Sequence, residues 1–315
     1  MRESTEVANQ AYKKTIEIRD KYADAIFSKI KGTVQKRKPN LQKWKDAILY
    51  DQLFELDLTR TLSSSFAEIT FADLNQFRLN ENSQAIILKS KINLLNNKTE
   101  SAVKLEIGDT YYKLFKTPKK EFNLNIQEVK TKINSEYFWV DKQEAQTEVA
   151  NFKGEISLEE QGSEVTLKEN QGSTIAKGKA PNQPKNLLNP PVLILPESFS
   201  KIFENTVTLN WSSVENASEY WIEVANDSRF TSIFKFIKEV KSNSFMLNQL
   251  PPNTYYWRIA SVDNFGLPGK FSNHFNFTIQ LDTTLPFLEV SLVDELNFSK
   301  EKEFSINIHT EKMLN

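Results

Sequence analysis

The spacing of apolar residues divides the chain into a helical start and a long β region. Residues 3–27 contain neither glycine nor proline, and Ala11, Ile18, Tyr22 and Ile26 recur at spacings of four and seven. Such spacing places side chains on one face of a helix. The pattern predicts an amphipathic helix over residues 1–27, which either packs on the next domain or forms a stalk or coiled-coil seam.

From residue 28 to about residue 180 the apolar period changes to two. Short alternating segments, such as 67–74, 102–116 and 163–169, are separated by Asn, Asp, Gly or Lys. Alternation of this kind predicts strands with one buried face. The number and spacing of the segments indicate a β-sandwich or β-roll, so the expected fold class is mainly β.

A proline-rich stretch separates this region from a second one. Residues 177–196 hold five of the eleven prolines. Proline removes a backbone donor and favours extended conformations, so we predict a semi-rigid linker over residues 181–196. A second β domain is expected over residues 190–280, and residues 281–315 are too few for another complete sandwich of about 100 residues.

Strand phase in the second domain separates core residues from outward ones. Val207 and Leu209 alternate with Trp211, so we expect Trp211 to fill the space between two sheets. By the same rule Trp221 and Glu223 point away from the face that carries Tyr220. Tyr255 is in phase with the next core positions and is the candidate for a corner tyrosine that bonds upstream backbone.

Trp221 and Glu223 are therefore the candidate interface residues. An outward tryptophan on a sheet either anchors a binding partner or is shielded, by its cross-strand neighbours or by the adjoining domain. Shielding is the favoured alternative for Trp221, and the sequence alone leaves both open.

Charge and composition exclude several classes of function. Forty basic and forty-one acidic residues give a net charge of −1, which argues against nucleic acid as a partner. The chain has no cysteine and only two histidines, so neither thiolate chemistry nor a transition-metal site is expected. No apolar run approaches the ~20 residues of a membrane span. The chain is expected to be soluble as written, and the alternative that it is the exported part of a longer protein, whose leader or anchor was left out, stays open.

No catalytic motif accompanies this composition. The sequence contains no Gly-x-Ser-x-Gly motif of serine hydrolases, no Gly-x-x-x-x-Gly-Lys phosphate-binding loop and no Gly-x-Gly-x-x-Gly dinucleotide-binding motif. Glu159, Glu160, Asp141 and Asp263 remain as carboxylates that a fold might pair as in a glycosidase, although solvated charges are expected. We predict no enzymatic activity, no cofactor and no catalytic residue.

The first β region carries an ordered series of short motifs that resembles the FecR-like domain family, over about residues 26–180. The residues that carry the resemblance are 56–61, Ser65, Ala67, Ile69, 71–73, 77–79, 82–83, 105–108, 138–140, 147–149, 154–156 and 167–172. Ile69, Phe71, Phe77 and Leu79 within them alternate inward, and Asp73 is placed to bond its own turn. The motif is interpreted as structural.

The second β region resembles a bacterial fibronectin type III domain over residues 190–280. The segments that carry this resemblance are 207–211, 220–224, 250–259 and 262–266. Residues 281–315 resemble the opening strands of an immunoglobulin-like module, or are C-terminal strands of the preceding domain.

The two resemblances imply a non-enzymatic binding or scaffold protein of the bacterial cell envelope, periplasmic or surface-exposed, that holds a protein or cell-wall glycan partner and relays an envelope signal. Alternatives are a glycan-binding or peptidoglycan-binding accessory module, and a fragment of a FecR-type transmembrane signalling regulator.

Overall fold

The computed structural model describes residues 23–93, 98–115, 117, 120–126 and 129–280. Every regular element within these ranges is a strand, which confirms the mainly β fold class. The strands are β1 (Ala25–Lys31), β2 (Val34–Arg37), β3 (Lys45–Asp46), β4 (Gln52–Leu53), β5 (Leu58–Thr61), β6 (Phe66–Phe71), β7 (Gln76–Leu79), β8 (Gln84–Asn93), β9 (Lys98–Lys113), β10 (Lys120–Asn125), β11 (Lys130–Lys142), β12 (Gln146–Glu160), β13 (Ser163–Leu167), β14 (Gln171–Ala176), β15 (Lys185–Asn186), β16 (Leu193–Leu195), β17 (Ser200–Ile202), β18 (Val207–Trp211), β19 (Ala217–Ala225), β20 (Ile233–Val240), β21 (Ser244–Leu247), β22 (Asn253–Asp263) and β23 (Phe275–Ile279).

Two predictions at the chain ends lie largely outside these ranges. The predicted helix over residues 1–27 falls mostly on residues that the structure does not describe, as does the predicted partial module over residues 281–315. For its last three residues the helix prediction is wrong, because residues 25–27 belong to β1. There Ala25 and Phe27 pair with strand β6 and are buried in its core, and this period-two burial overrides the helical spacing that includes Ile26.

Strands β1 to β15 form the first module, a single hydrogen-bonded sheet that folds over on itself. Its main path runs β15-β14-β12-β11-β9-β7-β6-β1-β4, and β2, β3, β5, β8, β10 and β13 pair off this path. The long strand β9 belongs to two layers. Its first part pairs with β8 and β10, while its last residues pair with β7 and β11.

Glycines sit where the two longest strands change partners. Gly108 in β9 and Gly154 in β12 have φ values of 95° and 100°, a region that side-chain-bearing residues rarely adopt. A Cβ at Gly154 would lie 2.5 Å from the carbonyl oxygen of Asn134, and one at Gly108 would collide with Ser83. Both glycines therefore allow a strand to bend sharply and continue in the second layer.

The inward residues predicted for the first module form its core. Ile69, Phe71, Phe77 and Leu79 are all buried, and the backbone NH of Asn75 donates to Asp73 Oδ1 at 3.0 Å, as predicted for the turn. Aromatic rings extend this core across the sheet, with Tyr112 stacked on Phe138 at 4.6 Å between ring centroids.

Strands β16 to β23 form the second module, a sandwich of two sheets. One sheet has the order β16-β18-β21 and the other β17-β23-β22-β19-β20. Trp211 is buried with Val207 and Leu209 between them, which confirms the predicted strand phase. The hydroxyl of Tyr255 donates to the carbonyl oxygen of Pro251 at 2.9 Å, as expected of a corner tyrosine.

The proline-rich stretch over residues 181–196 is held at both ends. Lys185 and Asn186 pair with β14 of the first module, and Leu193 and Leu195 pair with β18 of the second. The connection therefore runs along the two sheets and leaves little free chain between the modules.

Candidate functional site

The candidate interface residues Trp221 and Glu223 lie on β19, a strand with both faces covered. From Tyr220 to its end every residue of β19 is buried. Tyr220 and Ile222 face the core of the second module. Trp221 and Glu223 face the first module instead, so the site they define is the junction between the two modules.

Aromatic rings from both modules form one buried cluster at this junction. Trp221 is 4% exposed, and its ring meets that of Trp139 edge-on, with 5.3 Å between centroids. The buried members of the cluster are Tyr111, Trp139, Ala150 and Phe152 of the first module, and Trp221 and Val262 of the second. Trp221 is thus shielded both by Trp139 of the first module and by Phe236 of the neighbouring strand β20, whose ring lies 5.9 Å away.

A buried ion triad lies beside the rings. Glu223 has 0% exposure. Its Oε2 accepts from Nε of Arg258 at 2.8 Å within the second module, and its Oε1 lies 2.6 Å from the guanidinium of Arg78 in the first. Arg78 in turn lies over the ring of Tyr111, at 4.8 Å from its centroid. The triad joins the two modules through charge-assisted contacts.

The triad keeps Glu223 ionised although it is fully buried. Burial opposes the charge, but the guanidiniums of Arg258 and Arg78 outweigh it and hold the pKa of Glu223 below its ordinary value. Burial likewise raises the pKa of Tyr111 and that of Tyr137, so these phenols stay neutral. The charge in this part of the junction is therefore carried by the ion triad and not by the phenols.

A second charge contact lies on the other side of Trp221. Lys238 of β20 forms an ion pair with Asp109 of β9, and its ammonium lies 4.4 Å from the Trp221 ring centroid. Asp109 also accepts from Nε1 of Trp139 at 3.3 Å. Tryptophans of both modules are therefore tied to one lysine–carboxylate pair.

Three carboxylates form a row across strands β9, β11 and β12. Asp141 pairs in register with Asp109 on one side and with Glu148 on the other, so the three side chains share a face of the sheet. Like charges in opposed positions repel. Gly266 of the second module covers the row, and a Cβ there would lie 3.0 Å from both carboxylate oxygens of Glu148.

This row is sensitive to pH. Burial, followed by repulsion from Asp141, raises the pKa of Glu148 to about 7. Burial and then the charge of Asp109 raise the pKa of Asp141 to about 6. A carboxyl with a raised pKa in the folded chain stabilises it most below the unfolded-state pKa, and this contribution is lost as the pH rises through the folded-state pKa. The stability of the folded chain should therefore fall as the pH rises from about 4.5 to about 7.

The carboxylates singled out from the sequence have different surroundings. Glu159 forms an ion pair with Lys130 at 2.8 Å. Glu160 is only 6% exposed, so the expectation of a solvated charge is wrong for it. Its position in β12 faces the core, whereas Glu159 lies on the opposite face and is half-buried. Asp263 accepts from the backbone NH groups of Phe265 and Leu267 in a turn.

The carboxylate of Glu148 is covered by Gly266 of the second module. Asp141 and Asp263 both lie near Glu148, since each raises the pKa of that residue, but the second module packs against this row. Among the described residues no group of three or more His, Cys, Asp or Glu side chains is placed to hold a metal ion. No helix within the described ranges is long and apolar enough to cross a membrane.

Sequence reasoning missed the residues that complete the junction. Arg78, Arg258, Lys238, Asp109 and Glu148 occupy ordinary charged positions in alternating strands. The available signal is the outward Trp221 with an adjacent outward Glu223, which indicates that something must cover that face. Nothing in the sequence indicates which distant residues do so.

Comparison with known proteins bears on the first module. The family described as FecR protein matches residues 57–157, which lie within strands β5 to β12 and the turns that join them. No curated protein matches the chain.

Several solved structures match parts of the chain at low similarity. A candidate anti-sigma factor from Parabacteroides distasonis is 14% identical, with a TM-score of 0.35, and the match covers 41% of this chain and 59% of that one. The chain therefore spans less than two thirds of that protein.

Two further structures are similarly distant. The FN1–FN3 domains of chicken CNTN1 are 11% identical, with a TM-score of 0.25 and coverage of 82% of this chain and 98% of theirs. The extracellular domain of a candidate one-component system from B. thetaiotaomicron is 10% identical, with a TM-score of 0.23 and coverage of 73% and 43%. Scores this low support no conclusion about function.

Proposed function

We propose that this chain is a non-enzymatic binding and scaffold protein of the bacterial cell envelope, in which a FecR-like module and a fibronectin type III-like module act as one body. The observation that carries the proposal is the buried junction, where Trp221 packs on Trp139 and Glu223 binds an arginine from each module. Modules joined by a flexible linker would have no need of such contacts.

A fixed junction suits a protein that relays a mechanical or conformational signal. Neighbouring domains move relative to each other by default unless their interface is large and hydrophobic. Here a rotation would separate Arg78 from Glu223 and leave buried charges without partners, which is strongly unfavourable. A displacement of one module by a bound partner would therefore also move the other module, because no flexible hinge between them absorbs the motion.

The location is proposed from the family match. FecR-like domains are expected outside the cytoplasm, and residues 57–157 match that family. The proposed partner is a protein or a cell-wall glycan.

Capture from envelope extract tests the scaffold role. The whole chain serves as bait beside a variant with a weakened junction, Trp221→Ala. Crosslinked partners recovered with the parent chain should be lost or reduced with the variant, while melting of each bait shows that both modules remain folded. Equal recovery with both baits, or no specific recovery with either, would refute the proposal.

The family match also favours a second candidate, a fragment of a FecR-type signalling regulator. In that case the chain, restored to its natural membrane context, should change transcription from a sigma-dependent reporter, and Glu223→Gln should alter the response. A reporter indifferent to the presence of the protein would eliminate this candidate and leave the scaffold proposal standing.

A further inference from the structure

A groove with a volume of about 410 Å³ opens between the two modules beside strand β20. The first module lines it with residues that include Lys31, Phe66 and Arg78, and the second with residues 233–237 of β20. Clefts of roughly 300–1,000 Å³ at domain boundaries are where small ligands commonly bind. The groove thus has the size and position of a ligand site.

Two lysines, one from each module, lie beside the same ring in the groove, since the ammonium groups of Lys31 and Lys235 are 5.8 Å and 5.7 Å from the ring centroid of Phe234. The ammonium of Lys31 donates to the backbone carbonyl oxygen of Phe234, and Lys235 is the next residue. Among the described residues neither lysine has a carboxylate within ion-pair distance. Burial, and after it the charge of Lys235, lower the pKa of Lys31. An anion between the two ammonium groups would relieve this repulsion.

The other charges of the groove leave this position positive. The charge of Arg78 is balanced by its ion pair with Glu223. Glu81 is the one carboxylate of the lining, and it lies at the exposed side, where its Oε2 accepts from the backbone NH of Ser64 at 2.7 Å. Solvent screens an exposed charge far more than a buried one, so the lysines dominate the interior.

Apolar side chains form much of the remaining wall. Phe66, Phe234 and Ile237 all line the groove and are half-buried. A bare inorganic anion would leave these surfaces in contact with water, whereas an apolar body would remove them from it. The lining therefore suits a molecule with one anionic end and one apolar end.

We propose that this groove binds a small amphiphilic anion, a carboxylate or sulfonate attached to a flat apolar body, with its charged group between Lys31 and Lys235 and its body against Phe66 and Phe234. The inference goes beyond a scaffold role. Because Arg78 lines the groove and also binds Glu223, the ligand touches the junction and can alter how firmly the modules are held together.

A matched pair of fluorescent probes tests the charge requirement. 8-Anilinonaphthalene-1-sulfonate has the proposed chemistry, and N-phenyl-1-naphthylamine has nearly the same rings without the sulfonate. The full chain should bind the sulfonate saturably at one site, about tenfold or more tightly than the neutral probe, because a charge-assisted contact is worth at least that factor. Equal affinity for the two probes, or no saturable binding of the sulfonate, would overturn the proposal.

Substitutions locate the site. Lys235→Met should weaken binding of the sulfonate about tenfold. The double variant Lys31→Met with Lys235→Met should bind the sulfonate no more tightly than the neutral probe. Lys241→Met serves as the control, because Lys241 is an exposed lysine just beyond β20 that does not line the groove. Lys235→Met keeps the alkyl chain at a half-buried position, so it remains informative if the double variant folds poorly. Unchanged binding in Lys235→Met, or an equal loss in Lys241→Met, would contradict the assignment.

Discussion

The charge of Glu223 offers the sharpest test of the buried junction. Glu223→Gln keeps the size of the side chain and one acceptor oxygen, but it leaves Arg78 and Arg258 without their counter-charge. Breaking a buried ion pair by removing one partner costs about 3–5 kcal/mol. Because the Arg258 side chain is 26% exposed and that of Arg78 15%, water can partly solvate both, and we expect about 3 kcal/mol.

The assay is equilibrium unfolding in urea, followed by tryptophan fluorescence, since Trp139 and Trp221 report on the junction itself. Glu169→Gln is the matched control. Glu169 pairs with Lys270 across the same two modules at 2.9 Å, but with side chains 53% and 40% exposed, and such pairs contribute about 0–1 kcal/mol. The free energy of unfolding should therefore fall several times more in Glu223→Gln than in Glu169→Gln.

A further variant separates the cost of leaving charges unpaired from the net contribution of the intact ion triad to the free energy of unfolding. Replacing Arg78, Glu223 and Arg258 together by methionine removes all three charges and keeps apolar volume, so its stability should lie near or above that of the parent chain. If Glu223→Gln has no larger effect than Glu169→Gln, or if the triple variant is the least stable of the set, the account of the junction is wrong.

Three other outcomes follow from the described contacts. The free energy of unfolding should fall as the pH rises through about 7, and Glu148→Gln should remove much of this pH dependence and stabilise the chain at pH 8. The reason is that the difference between 4.5 and about 7 in the pKa of Glu148 corresponds to roughly 3 kcal/mol. An unchanged pH dependence of the unfolding free energy in urea titrations of Glu148→Gln would contradict this. Trp211→Ala should cost about 3–5 kcal/mol by emptying the space between two sheets, and an unaltered melting temperature would count against it. Tyr255→Phe should lower the free energy of unfolding by about 1 kcal/mol through loss of the hydrogen bond to Pro251. A loss of less than about a few tenths of a kcal/mol, measured by thermal melting, would argue that water replaces this hydrogen bond.

The faces of the strands were predictable from the amino-acid order because burial in a sheet has a local period of two. Trp211, Ile69 and Phe77 could each be assigned inward from residues two positions away, and Tyr255 from its place in a recognisable corner. The same local rule placed Trp221 and Glu223 on the outer face of β19. No contact across the fold was needed for these assignments.

The folded structure alone decided what covers that outer face. Arg78 meets Glu223, and Lys238 meets Asp109, only because β7 and β9 of one module are brought against β19 and β20 of the other, and no local pattern in any of these strands encodes its distant neighbour. Alternation says which way a side chain points but not what lies opposite, and the energy of a buried charge depends on what lies opposite. The role of Trp221 as a contact between modules is therefore a property of the tertiary structure.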